Sequence, residues 1–248
     1  MVYLIPGKRL QKFDLVGVGI GPGDPDLITV KALKSLNSVD VVFAPKPKDG
    51  GNSLALSIVR NVVNMDNKEV VELLLPMTRS EDGLRKARDS AVRKMITSVE
   101  EGKRAAFITL GDPMLYSTFT YLMSSILTIR KETKIEVIPG ISSIMASAAV
   151  SLTPLGESDQ KVAIMPLTQG NFGEIQELLK RVDTLVLMKV NRCFDELVDF
   201  VIKEKLEKRA VFVSKTGREG EAMLLDITSL KGTRIDYFST VIIRAQDE

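Results

Sequence analysis

The stretch Phe13-Asp14-Leu15-Val16-Gly17-Val18-Gly19-Ile20-Gly21-Pro22-Gly23-Asp24-Pro25 decides the fold. Residues 13–18 read as an apolar, β-branched strand, and the glycines at 17, 19, 21 and 23 punctuate it into a loop. Leu27, Val30, Leu33 and Leu36 then recur at helical spacing, and 39–44 is a second buried strand that Pro45 and Pro47 are expected to end. Outward from there, the pattern predicts a helix through Leu54, Ile58 and Val62, a strand over 70–75 and a charged helix over 83–101 closed by Gly102. A strand over 105–109, a helix over 118–127 and a strand over 135–138 follow. Strands separated by helices at this spacing predict an α/β fold, its first part a mostly parallel sheet with helices on both faces.

After Gly140 the texture changes. Helices over 142–152, 172–182 and 194–205 alternate with strands over 161–165 and 184–190, but the last strands, 210–214, 221–227 and 237–244, are joined by short Gly- and Lys-bearing segments. Short connections favour antiparallel pairing, so the C-terminal sheet is expected to be mixed. A chain of 248 residues accommodates two α/β domains of about 120 each. They are placed at 11–140 and 141–248.

Composition narrows the chemistry. Apolar residues make up 44% and charged ones 27%, which excludes disordered and disulfide-stapled classes. Lys and Arg number 34 against 32 Asp and Glu, so no global field exists to hold a nucleic acid or an anionic membrane. Histidine is absent and Cys193 is the only cysteine, which removes the Ser-His-Asp triad, structural zinc sites and intramolecular disulfides. No metal is expected. No apolar run approaches the length of a membrane span, and the short patch before Lys8 and Arg9 is no signal peptide, so a cytoplasmic protein is expected.

Three loops at strand ends carry the candidate chemistry. In the first, a dinucleotide fingerprint opening at Gly17 and Gly19 would need a third glycine where Pro22 stands, and a Walker loop would need Gly-Lys-Ser/Thr, so neither applies. A tight strand-to-helix turn remains an alternative to close approach by a ligand. The second, Leu110-Gly111-Asp112-Pro113, follows a strand expected to lie centrally, where open α/β sheets hold ligands, and Pro113 biases Asp112 towards extended geometry with its carboxylate or backbone at the cleft. The third, Pro139-Gly140-Ile141-Ser142-Ser143, puts hydroxyls at a helix start, where Ser142 equally reads as an N-cap.

Together these loops resemble the tetrapyrrole methylases, S-adenosyl-L-methionine-dependent enzymes of corrin and sirohaem synthesis, from about Phe13 to Arg244. The segments Pro76-Met77-Thr78-Arg79, Gly111 through Ser117, and Pro154-Leu155-Gly156-Glu157 are most similar to the branch that methylates carbon 20 of precorrin-2 or cobalt-factor II. Pro45-Lys46 stands where the uroporphyrinogen methylases carry an acidic residue, which argues against the carbon 2 and 7 reaction. The resemblance implies a homodimer of two α/β domains with a ligand cleft between them. It implies donor contacts at Pro22, Gly111, Asp112, Leu115, Ser142, Ser143, Met188, Thr216 and Thr240, and tetrapyrrole contacts at Gly21, Arg79, Met114 and Tyr116.

Methyl transfer from a sulfonium needs in-line alignment and no imidazole. Asp112 is expected to balance the sulfonium or to fix its loop, and no residue is assigned as a catalytic base. The carboxylates of a tetrapyrrole predict scattered cations around the cleft, for which Arg79, Lys46, Lys48, Lys189 and Arg192 are placed in loops or at strand ends. Two alternatives stand beside this reading. One is a methyltransferase of the same superfamily acting on another corrin carbon, uroporphyrinogen III, a diphthamide precursor or ribosomal RNA; the other is a non-enzymatic nucleotide-binding module.

Overall fold

A computed structural model describes residues 13–76, 80–167 and 172–245. The chain divides into two compact units. Among the described residues, one comprises those up to Gly21 with those from Pro25 to Ile141, the other Pro22–Asp24 with those from Ser142 on.

In the first unit β1 (Leu15–Gly19), β2 (Val41–Lys46), β3 (Glu69–Leu74), β4 (Ala105–Thr109) and β5 (Ile135–Ile138) form one sheet of order β3-β2-β4-β1-β5. Every pairing in it is parallel. Strand alternation sorts the side chains. Val16, Val18, Val42, Ala44, Ala106 and Ile108 meet α1 (Val30–Ser38) and α2 (Leu54–Val59) on one face. Leu15, Val41, Phe43, Ala105 and Phe107 meet α3 (Glu81–Glu100) and α4 (Phe119–Ile129) on the other. Hydroxyl caps start three of the helices: Thr29, Ser53 and Ser80 accept from the backbone N–H of Ala32, Leu56 and Gly83.

Pro45 does not end β2, as the sequence suggested, but lies within it. The Val41 N–H donates to the carbonyl of Arg104, just before β4, so by alternation the Pro45 nitrogen also faces the β4 side. Pairing with β4 stops at Phe43, and the missing donor is not needed there.

In the second unit β6 (Val162–Pro166), β7 (Thr184–Met188), β8 (Ala210–Ser214), β9 (Ala222–Leu224) and β10 (Ser239–Arg244) make a mixed sheet of order β6-β7-β10-β8-β9. The helices α5 (Ser143–Val150), α6 (Phe172–Leu179) and α7 (Phe194–Lys203) belong to this unit. The late strands do pair antiparallel, but β10 does not pair with β9. It inserts between β7 and β8, antiparallel to both. The reason is burial: residues 239–243 are all buried and need a partner on each side, whereas the short β9 is largely exposed and serves as an edge.

Gly17 is a packing position. A Cβ there would lie 2.2 Å from a ring carbon of Phe119, a fully buried side chain stacked on Phe107 with centroids 5.6 Å apart. Gly17→Ala should therefore lower the urea-unfolding stability of the first unit by about 1–3 kcal/mol. A double-mutant cycle with Phe119→Leu, which shortens the obstructing ring, should show a smaller loss than in the parent.

Candidate functional site

The strand order locates the site in the first unit. From β1 the chain crosses to β2 on one side of the sheet, and from the adjacent β4 it crosses to β5 on the other. Neighbouring parallel strands whose connections diverge open a crevice at their carboxyl ends. The central place expected for β4 is found.

Three backbones meet there. A Cβ on Gly19 would lie 2.5 Å from the Gly140 nitrogen and 2.6 Å from the Gly111 oxygen, and one on Gly140 would lie 2.2 Å from that same oxygen. The three strand-end loops thus pack main chain on main chain, which only glycine permits at both positions. Gly111 and Gly21 form an isolated antiparallel bridge in which the Gly111 N–H donates to the Gly21 carbonyl at 2.8 Å. Both adopt left-handed backbone, with φ of +65° and +80°.

Asp112 fixes this junction. Its Oδ2 accepts from the Gly140 N–H at 3.0 Å and its Oδ1 from the Met114 N–H at 2.8 Å. The carboxylate expected at the cleft is committed instead to two backbone donors, because a charge-assisted bond to an otherwise unpaired N–H outweighs hydration. Of its two expected roles, the geometry is that of a loop clasp. Beyond it Met114 and Tyr116 are exposed, Leu115 is half-buried, and Tyr116 holds a left-handed φ of 52°. Arg79 lies outside the described residues. Lys46 is 3.8 Å from both Asp49 and Glu72, so local carboxylates already engage it.

The second-unit candidates also gather, at one end of their own sheet. Met188 closes β7 opposite Thr240, and Ser214 closes β8 opposite Ser239. Thr216 follows two residues after that end and is buried, its hydroxyl 3.0 Å from that of Ser147 on α5. Ser142 is the N-cap of α5, its Oγ accepting from the Met145 N–H at 3.4 Å, and Ser143 is the first helical residue. Pro22 is buried in the segment that packs with this unit. There the turn after β8 meets the glycine loop: a Cβ on Gly23 would lie 2.1 Å from Arg218 Cγ, and one on Gly217 would lie 2.8 Å from the Asp24 nitrogen.

The four loop glycines are therefore accounted for by protein atoms. Gly17 clears Phe119, Gly19 clears Gly111 and Gly140, Gly21 takes a positive φ, and Gly23 clears Arg218. The sequence marks Gly140 only as part of a motif, and it does not single out Ser147 or Arg218. No local pattern marks either; their neighbours lie 69 and about 195 residues away in the chain. Among the described residues, no helix is long and apolar enough to cross a membrane.

The family model of the tetrapyrrole (corrin/porphyrin) methylases matches residues 14–231. A probable cobalt-precorrin-2 C(20)-methyltransferase of Methanocaldococcus jannaschii is 36% identical over 92% of this chain and 94% of its own. The cobalt-precorrin-2 C(20)-methyltransferase of Salmonella typhimurium is 36% identical over 94% and 97%. Among solved structures, a cobalt precorrin-4 methyltransferase shares the fold with a TM-score of 0.69 at 22% identity, covering 94% of this chain and 96% of that one.

The Asp112 clasp makes a specific prediction. Asp112→Ala removes both acceptors and should destabilise the first unit by roughly 1.5–3 kcal/mol in denaturant titration, whereas Asp112→Asn, which keeps one acceptor, should lose less. Equal losses in the two variants would contradict the clasp.

Proposed function

The chain belongs to the tetrapyrrole (corrin/porphyrin) methylases, and on that premise we propose that it transfers a methyl group from S-adenosyl-L-methionine to carbon 20 of precorrin-2 or its cobalt form during corrin synthesis. The observation that carries this reading is the 36% identity, over more than nine-tenths of each chain, to two proteins named for that reaction on the cobalt-bearing acceptor.

The residues present suit such a donor. Its adenosine and amino-acid parts call for hydroxyls, backbone edges and a counter-charge. This chain offers the hydroxyls of Ser142, Ser143, Thr216 and Thr240, the bridged main chain of Gly21 and Gly111, and a buried arginine nitrogen with no hydrogen-bond partner, Arg218 Nη2. When bound, the donor supplies an electrophilic methyl carbon. In the first unit we assign donor contacts to Gly111, Asp112 and Leu115, and acceptor contacts to Gly21, Arg79, Met114 and Tyr116. In the second unit donor contacts fall to Pro22, Ser142, Ser143, Met188, Thr216 and Thr240.

The work of these residues is positioning. Holding two reactants in a near-attack arrangement supplies roughly 7–11 kcal/mol of barrier reduction. That suits a chain without a single histidine. With both oxygens on backbone donors, Asp112 serves by keeping the β4 loop against the β5 loop rather than by accepting a proton. The same reading takes the protein as a cytoplasmic homodimer; family resemblance supports the dimer, and a lone, buried Cys193 suits a reducing compartment.

Incubation with S-adenosyl-L-methionine carrying a labelled methyl, and with metal-free or cobalt-loaded precorrin-2, should give one added methyl by mass spectrometry and a carbon NMR signal at position 20. Label at another ring carbon, or only in a macromolecule, would overturn the assignment. Light scattering should return twice the chain's 27.3 kDa.

A further inference from the structure

Arg218 sits on the turn that follows β8, where Lys215 and Gly217 both take left-handed backbone with φ of 52° and 73°. The turn aims the arginine back along its own unit. Its aliphatic stem lies against bare Gly23, where a Cβ would come within 2.1 Å of Cγ, and its guanidinium carbon stands 4.0 Å from the centroid of the Phe238 ring. Glycine on one side and an aromatic face on the other hold the half-buried side chain in place.

The end of that side chain is unsatisfied. Nη2 is buried and has no hydrogen-bond partner. Burial pulls the guanidinium below its ordinary pKa, with Asp236 opposing that shift. Asp236 makes no ion pair with it among the described residues; its carboxylate lies 4.0 Å from Lys215 Nζ instead. Arg130 offers the contrast within the same chain. It too has a buried nitrogen, but Glu100 and Glu132 each stand 3.1 Å from its guanidinium. A guanidinium stays protonated under all ordinary conditions, so a buried donor on it without an acceptor is a standing deficit that calls for an anion.

The surroundings say which anion. Arg218 is carried on the turn that also bears Thr216, and its two packing partners stand in the chain beside second-unit residues assigned above to the donor: Gly23 adjoins Pro22 and Phe238 is two residues from Thr240. The geometry points to Arg218 as a carboxylate-binding residue of this site, its Nη2 donating to a carboxylate oxygen of a bound ligand. The assignment rests on the methyltransferase reading, which provides two sources of that group: the α-carboxylate of the donor and the acetate and propionate arms of the tetrapyrrole. Planar guanidinium matches carboxylate in both.

The variant Arg218→Met keeps the apolar stem against Gly23 and Phe238 while removing the donors, and Arg218→Lys restores charge without the fork. Titration calorimetry of full-length wild type and variants would use S-adenosyl-L-homocysteine, methylthioadenosine, which lacks the carboxylate, and uroporphyrin, which bears eight. Circular dichroism and melting temperature confirm the fold. If the donor carboxylate is the partner, Arg218→Met weakens S-adenosyl-L-homocysteine about tenfold or more, Arg218→Lys weakens it less, and methylthioadenosine is unchanged. If the tetrapyrrole is the partner, uroporphyrin weakens by that factor and both nucleosides are unchanged. Equal weakening of S-adenosyl-L-homocysteine and methylthioadenosine, or no change in any of the three, overturns the role of Arg218 while leaving the methyltransferase reading intact. A wild-type chain that binds none of the three overturns both.

Discussion

The first unit depends on a main-chain contact. Adjacent strands in a sheet lie about 4.8 Å apart, and β1 runs between β4 and β5, so three strand ends emerge side by side. For the loops after them to stay together rather than splay, the backbones must touch, and Gly19, Gly111 and Gly140 allow it. Asp112 then locks the arrangement by accepting from Gly140 across a sequence separation of 28 residues. The junction leaves no room for a Cβ at Gly19 or Gly140. Groups that could contact a ligand are therefore displaced along the chain to Met114, Leu115 and Tyr116, beyond the clasp.

That constraint explains what sequence made legible. Hydrophobic period and glycine punctuation locate the first-unit strands to within a few residues, and β4 and β5 to the residue: β4 is an apolar run buried on both faces, whereas the edge strand β5 is set off by the charged residues before it and by Pro139-Gly140 after it. Pro45 misled for a local reason: whether proline ends a strand depends on which neighbour its nitrogen faces, and that is a property of the sheet order. The place of β10 was hidden likewise. Proximity in sequence pairs β9 with β10, but burial of every residue from 239 to 243 demands two partners, and β9 offers an exposed edge.

The candidate site divides between what motifs reveal and what only contact reveals. Glycines and Asp112 form short patterns that stand out in a chain, yet their spacing does not say whether bare backbone admits a ligand or another backbone. In this chain the immediate neighbours of the loop glycines are protein atoms. Ser147 and Arg218 carry no pattern at all. They become visible through a hydroxyl pair with Thr216 and through a guanidinium laid between Gly23 and Phe238.

The two sheets also contribute different chemistry, for a reason rooted in their pairing. An all-parallel sheet aims all its strand ends at one rim, and where the adjacent strands β4, β1 and β5 end the chain passes through Gly111, Gly19 and Gly140, so this part of the rim offers oriented main-chain N–H and C=O groups with little side-chain bulk. In the mixed sheet the start of β10 lies beside the ends of β7 and β8, which sets Thr240 opposite Met188 and Ser239 opposite Ser214 and places the turn bearing Thr216 and Arg218 just beyond. That unit offers hydroxyls and a cation. On the reading proposed above, alignment rather than proton transfer is the task, and each unit brings what alignment needs without histidine: oriented backbone in the first, and in the second hydroxyls and an arginine whose buried Nη2 can form a charge-assisted bond stronger than a neutral one.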